Sequence, residues 1–336
     1  MRLKSAAFAA IFFASFAHAQ QTFDFTNKPS PKGLQEIATV LRTVANIQNL
    51  SIDSTAATVT VTGTPDELAT AGWIIHQLDQ PVPSNSPQYV MPGKSDDVIQ
   101  VFHLNHISPD TPQQIQEILT TLRTVGDIQK IFNDTALSDL VVHGTANQLA
   151  LTDYIIKALD VTPGTVTVAA TSEFHYNDRV RPNDVVRVFY LPNTKTPVQM
   201  QEILTNLRTV ADIQKVFNYM PLSAVTIRGT ASDLATSEFI LRSLDIADAK
   251  GLPPNQFNIP GGNVVGVYYP TNISGIKLLP ELTFLYENLQ ISKAFMKTTP
   301  AALIYRGTAD QIAKAEQLIK QKDQPVESSS AAMLAR

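Results

Sequence analysis

Apolar and polar positions follow one arrangement that returns four times along the chain. A short alternating run leads into a helical stripe. Two further alternating runs follow, and a second amphipathic stripe closes the unit. In the second occurrence the first stripe is Ile115, Ile118, Leu119, Leu122 and Val125; in the third it is Met200, Ile203, Leu204, Leu207 and Val210. Spacings of i, i+3, i+4 and i+7 put these side chains on one side of a helix. Pro112 and Pro197 stand where those helices begin, at positions that need no N–H donor. Pro280 falls inside the fourth stripe and predicts a short or kinked helix there. The alternating runs predict strands at 22–26, 98–104, 185–191 and 264–269 before the first helix, and at 128–133 and 140–143 after it in the second unit. In the last strand of each unit, Val59 and Val61, Leu140 and Val142, Val225 and Ile227, and Leu303 and Tyr305 are expected to face inward.

Short motifs repeat in step with the pattern. Gly63-Thr64, Gly144-Thr145, Gly229-Thr230 and Gly307-Thr308 are spaced 81, 85 and 78 residues apart. Leu41-Arg42-Thr43-Val44 recurs at 122–125 and 207–210. Thr64 with Glu67, Thr145 with Gln148 and Thr308 with Gln311 fit a capping box, and Thr230 with Asp233 is a weaker version. The second helices run through Leu68, Ile75 and Leu78, through Leu149, Ile156 and Leu159, and through Leu234, Leu241 and Leu244. They close on Asp79, Asp160 and Asp245; the fourth, through Ile312 and Ile319, ends more polar, at Lys322-Asp323. A period of this size marks a tandem array. The predicted class is therefore α+β, four small β-α-β-β-α modules at 20–82, 98–162, 183–248 and 263–325, the last divergent. Linkers rich in Pro, Ser and Gly at 81–93, 163–182 and 249–262 leave room for movement, and the tail at 326–336 reads as disordered.

Composition narrows the classes. Modules of roughly 60 residues sit near the lower limit for unassisted folding, and the chain has no cysteine to supply disulfides or thiolate metal sites. Packing between neighbours must supply the difference. Twenty-six Lys and Arg against thirty Asp and Glu, a net charge of −4, argue against a phosphate-backbone binder. At the N-terminus, Arg2 and Lys4, the apolar run 6–16 and Ala17-His18-Ala19 read as a signal peptide over 1–19, and the run is too short to span a bilayer. An exported chain without cysteine suits a bacterial periplasm.

The β-α-β-β-α units resemble the ring-building N-domains of secretins, the periplasmic modules that precede the outer-membrane channel in type II and type III secretion systems and type IV pili. The resemblance rests on Val101-Phe102-His103-Leu104, then Asp139-Leu140-Val141-Val142-His143-Gly144-Thr145 and Leu159-Asp160; the third unit matches from Val188-Phe189-Tyr190-Leu191 to Ser243-Leu244-Asp245. Family members that make the channel carry a long β-rich region after these modules. This sequence ends at Arg336, eleven residues past Pro325, so the resemblance implies docking or ring assembly without the pore.

Candidate chemistry is sparse. His103 and His106 have a metal-pair spacing, but a strand sends odd-spaced side chains to opposite faces, which leaves two surface histidines. Arg42, Arg123 and Arg208 sit at helix ends, where a cation meets the C-terminal dipole; contact with an anion or partner is the other reading. Asp79, Asp160, Asp245 and Asp323 occur one per unit and read as turn or cap residues rather than paired acids. Trp73, the one tryptophan, is assigned to the core or a subunit contact. The outline overlaps the KH fold, yet no G-x-x-G loop occurs, Gly262 and Gly266 being one residue too far apart. No catalytic, cofactor-binding or metal residue is assigned, no cofactor is expected, and the chain is expected not to be an enzyme. The expectation is a periplasmic scaffold or docking protein for protein secretion or type IV pilus assembly. It would self-associate, meet a secretin or inner-membrane component, bind no nucleic acid and carry no transmembrane segment. The alternative is a monomeric periplasmic module that binds a peptide, a cell-wall polymer or a secreted protein.

Overall fold

A computed structural model describes residues 19–80, 84–108, 110–165, 172–177 and 180–325. The stretch read as a signal peptide, apart from Ala19, and the tail at 326–336 lie outside the described residues. Four antiparallel sheets and eight α-helices are present among the described residues. The first repeat runs β1 (Ala19–Asp24), α1 (Pro31–Thr43), β2 (Leu50–Asp53), β3 (Thr58–Gly63) and α2 (Pro65–Leu78). The second runs β4 (Tyr89–Val90), β5 (Val98–His103), α3 (Pro112–Val125), β6 (Lys130–Asp134), β7 (Asp139–Gly144) and α4 (Ala146–Leu159). The third runs β8 (Phe174–Tyr176), β9 (Asp184–Tyr190), α5 (Pro197–Thr209), β10 (Val216–Tyr219), β11 (Ala224–Gly229) and α6 (Ala231–Leu244). The fourth runs β12 (Asn255–Asn258), β13 (Asn263–Tyr268), α7 (Leu279–Leu289), β14 (Lys293–Thr298), β15 (Ala301–Thr308) and α8 (Ala309–Lys322).

All four capping boxes at the Gly-Thr motifs form, Thr230 with Asp233 included. Thr196 and Gln199 make a fifth at the start of α5. Pro112 and Pro197 open their helices. Pro280 also sits in a first turn rather than interrupting its helix, because α7 begins only at Leu279 and spans 11 residues.

Two expectations are corrected. The stretches read as linkers contain the edge strands β4, β8 and β12, which pair with β5, β9 and β13. Each is fastened by stacked or tilted rings to the helix before it: Trp73 to Tyr89 at 4.9 Å, Tyr154 to Phe174 at 5.5 Å and Phe239 to Phe257 at 5.3 Å. Trp73 is thus part of a recurring clasp, worth about 0.5–1.5 kcal/mol per ring pair beyond the area buried. The second correction concerns the last strand of each repeat. Only β3 has the half-buried alternation; in β11 Ala224, Val225, Thr226, Ile227 and Arg228 are all buried.

The chain divides into two compact units: the described residues through His103 with Lys130–His143, and Leu104–Gln129 with the described residues from Gly144 onward. In the first unit, α1 and α2 lie between two sheets, their own and that of β4–β7. One core joins Ile37, Val40, Leu41, Ile74 and Ile75 to Val59 and Val61 on one side and to Ile99, Val101 and Val141 on the other. In the second unit, α5 and α6 likewise join Val225 and Ile227 to Val265, Val267, Ala302 and Ile304. Beyond them, α7 and α8 pack on the opposite face of the last sheet through Leu285, Leu303, Tyr305 and Ile312.

Candidate functional site: the repeat junctions

The chemistry of this chain is concentrated where the helices of one repeat meet the sheet of the next. Each of the three junctions lies inside a single compact unit. The first helix of a repeat crosses the second strand of the following sheet: α1 on β6, α3 on β10 and α5 on β14. A carboxylate from the middle of that helix then accepts from the end of the strand, from the residue just past it in the first two junctions and from its last residue in the third. Glu36 takes the Thr135 N–H at 3.0 Å and its hydroxyl at 2.6 Å. Glu117 takes the Met220 N–H at 2.9 Å. Glu202 takes the Thr298 N–H at 3.2 Å and its hydroxyl at 2.5 Å. A bond to a charged partner contributes about 1.5–3 kcal/mol, and here it satisfies a turn N–H that the sheet leaves open.

A basic side chain, His143, Arg228 or Arg306, completes the clasp at the other end of the helix. The residue before each Gly-Thr, in repeats two to four, reaches back to the C-terminal carbonyls of the preceding first helix. His143 Nδ1 donates to the Val44 carbonyl at 2.6 Å, Arg228 to Val125 at 3.2 Å and Arg306 to Val210 at 3.4 Å. Positive charge is favoured at that pole of the helix. Each arginine also meets the left-handed aspartate just past the helix, Arg228 to Asp127 at 3.2 Å and Arg306 to Asp212 at 3.1 Å; Lys215 and Lys293 pair with the same two carboxylates. Arg228 is buried, bonds Asp184 at 2.8 Å and lies 3.7 Å from the centre of the Tyr176 ring. His143 faces the Asp97 carboxylate with its other nitrogen. Two tyrosines add to the later junctions, Tyr190 donating to the Ala158 carbonyl at 2.7 Å and Tyr269 to the Ser243 carbonyl at 3.0 Å.

The ionisable groups differ from junction to junction at one register position, the residue before the clasped turn. It is Asp134 in the first, Tyr219 in the second and Lys297 in the third; each belongs to the strand pair whose partner lies five residues before the Gly of Gly-Thr. Burial pushes the Asp134 carboxyl up to about 6, with Glu36 adding to the rise and the Ala136 and Leu137 N–H groups opposing it. Burial likewise raises the Tyr219 phenol, with Asp160 and Glu117 contributing. Lys297 is lowered to about 8 by burial, against the pull of Glu202 and Asp245. Asp139 also rises to about 6 through burial, opposed by His103.

The residues singled out in the sequence have partners of their own. His103 Nδ1 bonds Asp139 at 2.8 Å, and His106 Nδ1 donates to the Asp160 carbonyl at 2.8 Å, so neither is an unpartnered surface histidine. Among the described residues, no group of three or more His, Cys, Asp or Glu is placed to hold a metal ion. Arg208 donates to the Val216 carbonyl at 3.3 Å. The closing aspartates are helix C-caps, and each also ties down the exit of the first strand in its own repeat. Asp79 accepts from Thr26 and Asn27 N–H groups, Asp160 from Asn105 and His106, Asp245 from Asn193, and Asp323 from Thr271, Asn272 and Ile273. Gly266 sits in β13, where an added Cβ would lie 2.6 Å from the Tyr305 ring; it is a packing glycine. Sequence reasoning passed over Glu36, Glu117 and Glu202, although they recur at the repeat period in a Gln-Glu-Ile triplet. It also passed over His143, Arg228 and Arg306, adjacent to the most conspicuous motif.

No protein-family model matches the chain, and no curated protein does. Among solved structures, ExeD of Aeromonas hydrophila aligns at 16% identity over 87% of this chain and 59% of its own, with a TM-score of 0.17. The N-terminal domain of the secretin XcpQ of Pseudomonas aeruginosa aligns at 13% identity over 43% of this chain and 62% of its own, with a TM-score of 0.19. Aspartate kinase of Synechocystis aligns at 11% identity over 90% of this chain and 54% of its own, with a TM-score of 0.18. The chain spans less than two thirds of each. No helix among the described residues is long and apolar enough to cross a membrane.

Proposed function

We propose that this chain is a non-enzymatic periplasmic scaffold or docking protein of four modules, 20–82, 98–162, 183–248 and 263–325, serving protein secretion or type IV pilus assembly. It works by packing modules against one another and against protein partners, self-association included. The observation that carries this reading is the junction: the same helix-on-sheet contact, carboxylate clasp and cationic clasp recur three times. The polar side chains outside the core converge on assembly contacts between repeats, which is what a scaffold requires. The secretin resemblance of the sequence supplies the setting.

Light scattering on residues 20–336 over a wide concentration range tests self-association. A discrete oligomer is expected; a monomer at every concentration overturns it. Cell fractionation with N-terminal sequencing tests export, with a periplasmic chain beginning at Gln20 expected and an unprocessed cytosolic one overturning it.

A further inference from the structure

The three junctions are built alike, yet the first has an opening at a position where the other two place long side chains. Three residues before the clasping glutamate, the second and third junctions have Gln114 and Gln199, and the first has Gly33. Across from it, at the end of the strand, they have Tyr219 and Lys297, and the first has Asp134. In the second junction the Tyr219 hydroxyl meets Gln114 at 3.4 Å. In the third, Lys297 Nζ and Gln199 Nε2 both donate to the Thr299 carbonyl, at 2.8 and 3.1 Å, with Glu202 and Asp245 acting on the ammonium. Where both long side chains are replaced by short ones, a cavity of about 210 Å³ stands in the first junction. Phe25, Ile37, Leu78 and Leu137 line it with apolar surface, and Asp79 and Asp134 supply carboxyls.

We propose that this cavity binds the side chain of a lysine from a protein partner, its butyl stem on the apolar wall and its ammonium between Asp79 and Asp134. Lys297 shows within the same molecule how such a side chain sits: a buried stem, a carbonyl acceptor, and the glutamate and helix-closing aspartate of the junction around the charge. The charge balance points the same way. Glu202 and Asp245 act on the buried Lys297, whereas the cation acting on Glu36 and Asp134 among the described residues is Lys32, 3.5 Å from Glu36 and largely exposed. A buried carboxyl at Asp134 beside the half-buried Asp79, with its nearest cation out in solvent, favours an ammonium that enters the cavity. The inference deepens the docking reading and rests on it only for the source of the lysine.

The test is titration of residues 20–336 with Nα-acetyl-lysine N-methylamide, followed by NMR shifts of the Asp79, Asp134 and Leu137 amides. The Nε-acetylated analogue and n-butylammonium run in parallel. Saturable shifts with the lysine amide and with butylammonium, which carries the same stem and charge, and none with the acetylated analogue are expected; shifts from the acetylated analogue as large as those from the lysine amide would overturn recognition of the ammonium. Gly33→Gln and Asp134→Lys, which restore the filling found in the other junctions, are each expected to weaken binding at least about tenfold. Asp134→Asn, which keeps the size and the turn acceptor, is expected to weaken it less. No saturable shift in the unmodified chain, or unchanged binding in G33Q and D134N, overturns the site. Either result leaves the mass measurement of self-association untouched, so the two readings fail separately.

Discussion

The last strands of the first and third repeats, β3 and β11, begin five residues before the same Gly-Thr motif and differ in one respect. In β11, Val225 and Ile227 face α5 and α6, while Thr226 and Arg228 lie on the side that α3 meets, and all four are buried. In β3, Val59 and Val61 face α1 and α2, while Thr58, Thr60 and Thr62 form the other side and remain partly open to solvent. Thr22 on β1 reaches across this bare face to bond the Thr60 hydroxyl at 2.9 Å. A threonine face keeps β-propensity without presenting an apolar patch. The difference shows that burial on the second face follows from which helices meet it and not from the strand's own repeat.

Arg228→Ala should give the largest effect, because it strips a buried charge from Asp184 and from the end of α3. A loss of about 3–5 kcal/mol in the urea unfolding of the second unit is expected, against almost none for Thr62→Ala at the same register. Ile304→Thr places a hydroxyl on the face that α5 and α6 cover and should destabilise by about 2–4 kcal/mol. Glu202→Ala leaves the Thr298 N–H without its acceptor, and about 1–3 kcal/mol is expected from the same unfolding curves.

The first and third junctions should respond oppositely to pH. Asp134 ionises near 6 when folded and near 3.8 when unfolded, so between those values the native state holds more protons. Stability from this group therefore falls as pH rises from about 4 to 6 and then levels off. Lys297 loses its proton near 8 when folded and near 10.5 when unfolded, so the native state holds fewer protons there and stability rises across that window. Urea midpoints measured against pH should show both slopes, each of about 1–2 kcal/mol. Asp139 is raised to the same value and adds to the first slope, so Asp134→Asn should reduce that slope by roughly half and Lys297→Met should remove the second; a slope unchanged in its variant breaks the assignment. The smallest effect is expected for Thr60→Ile, within about 0.5 kcal/mol of the starting chain in stability, with added association visible in light scattering.

How much of this was legible can be judged residue by residue. Thr64, Thr145, Thr230 and Thr308 announce their helices because a capping box is local chemistry within four residues. Val59 and Val61 announce one buried face because alternation is local as well. Val141 and Ile304 sit on the second face, and their burial depends on helices from another part of the chain. Tyr89, Phe174 and Phe257 lie in strands of two to four residues, too short for a period to register, and their ring partners are 16 to 20 residues away. Glu36, Glu117 and Glu202 look like ordinary exposed acids on a helix until the turn they clasp, roughly a hundred residues on, is brought beside them. The opening in the first junction was beyond reach for the same reason, since Gly33 and Asp134 acquire meaning only as a pair.

The direction of the junctions has a consequence in time. A sheet covers the helices that precede it in the chain: α1 and α2 wait for Val141, and α5 and α6 wait for Ile304. During synthesis each repeat is left with open helices until its successor emerges, so each lid arrives after the box it closes. A chain cut after Asp245 exposes a helical pair that was made to be covered. A chain begun one repeat late exposes only the flat side of a sheet. α7 comes last and has no successor in this sequence; it keeps Ile276, just before it, and its own Leu279 and Tyr286 in solvent, and has Pro280 where the other first helices carry their clasping glutamate.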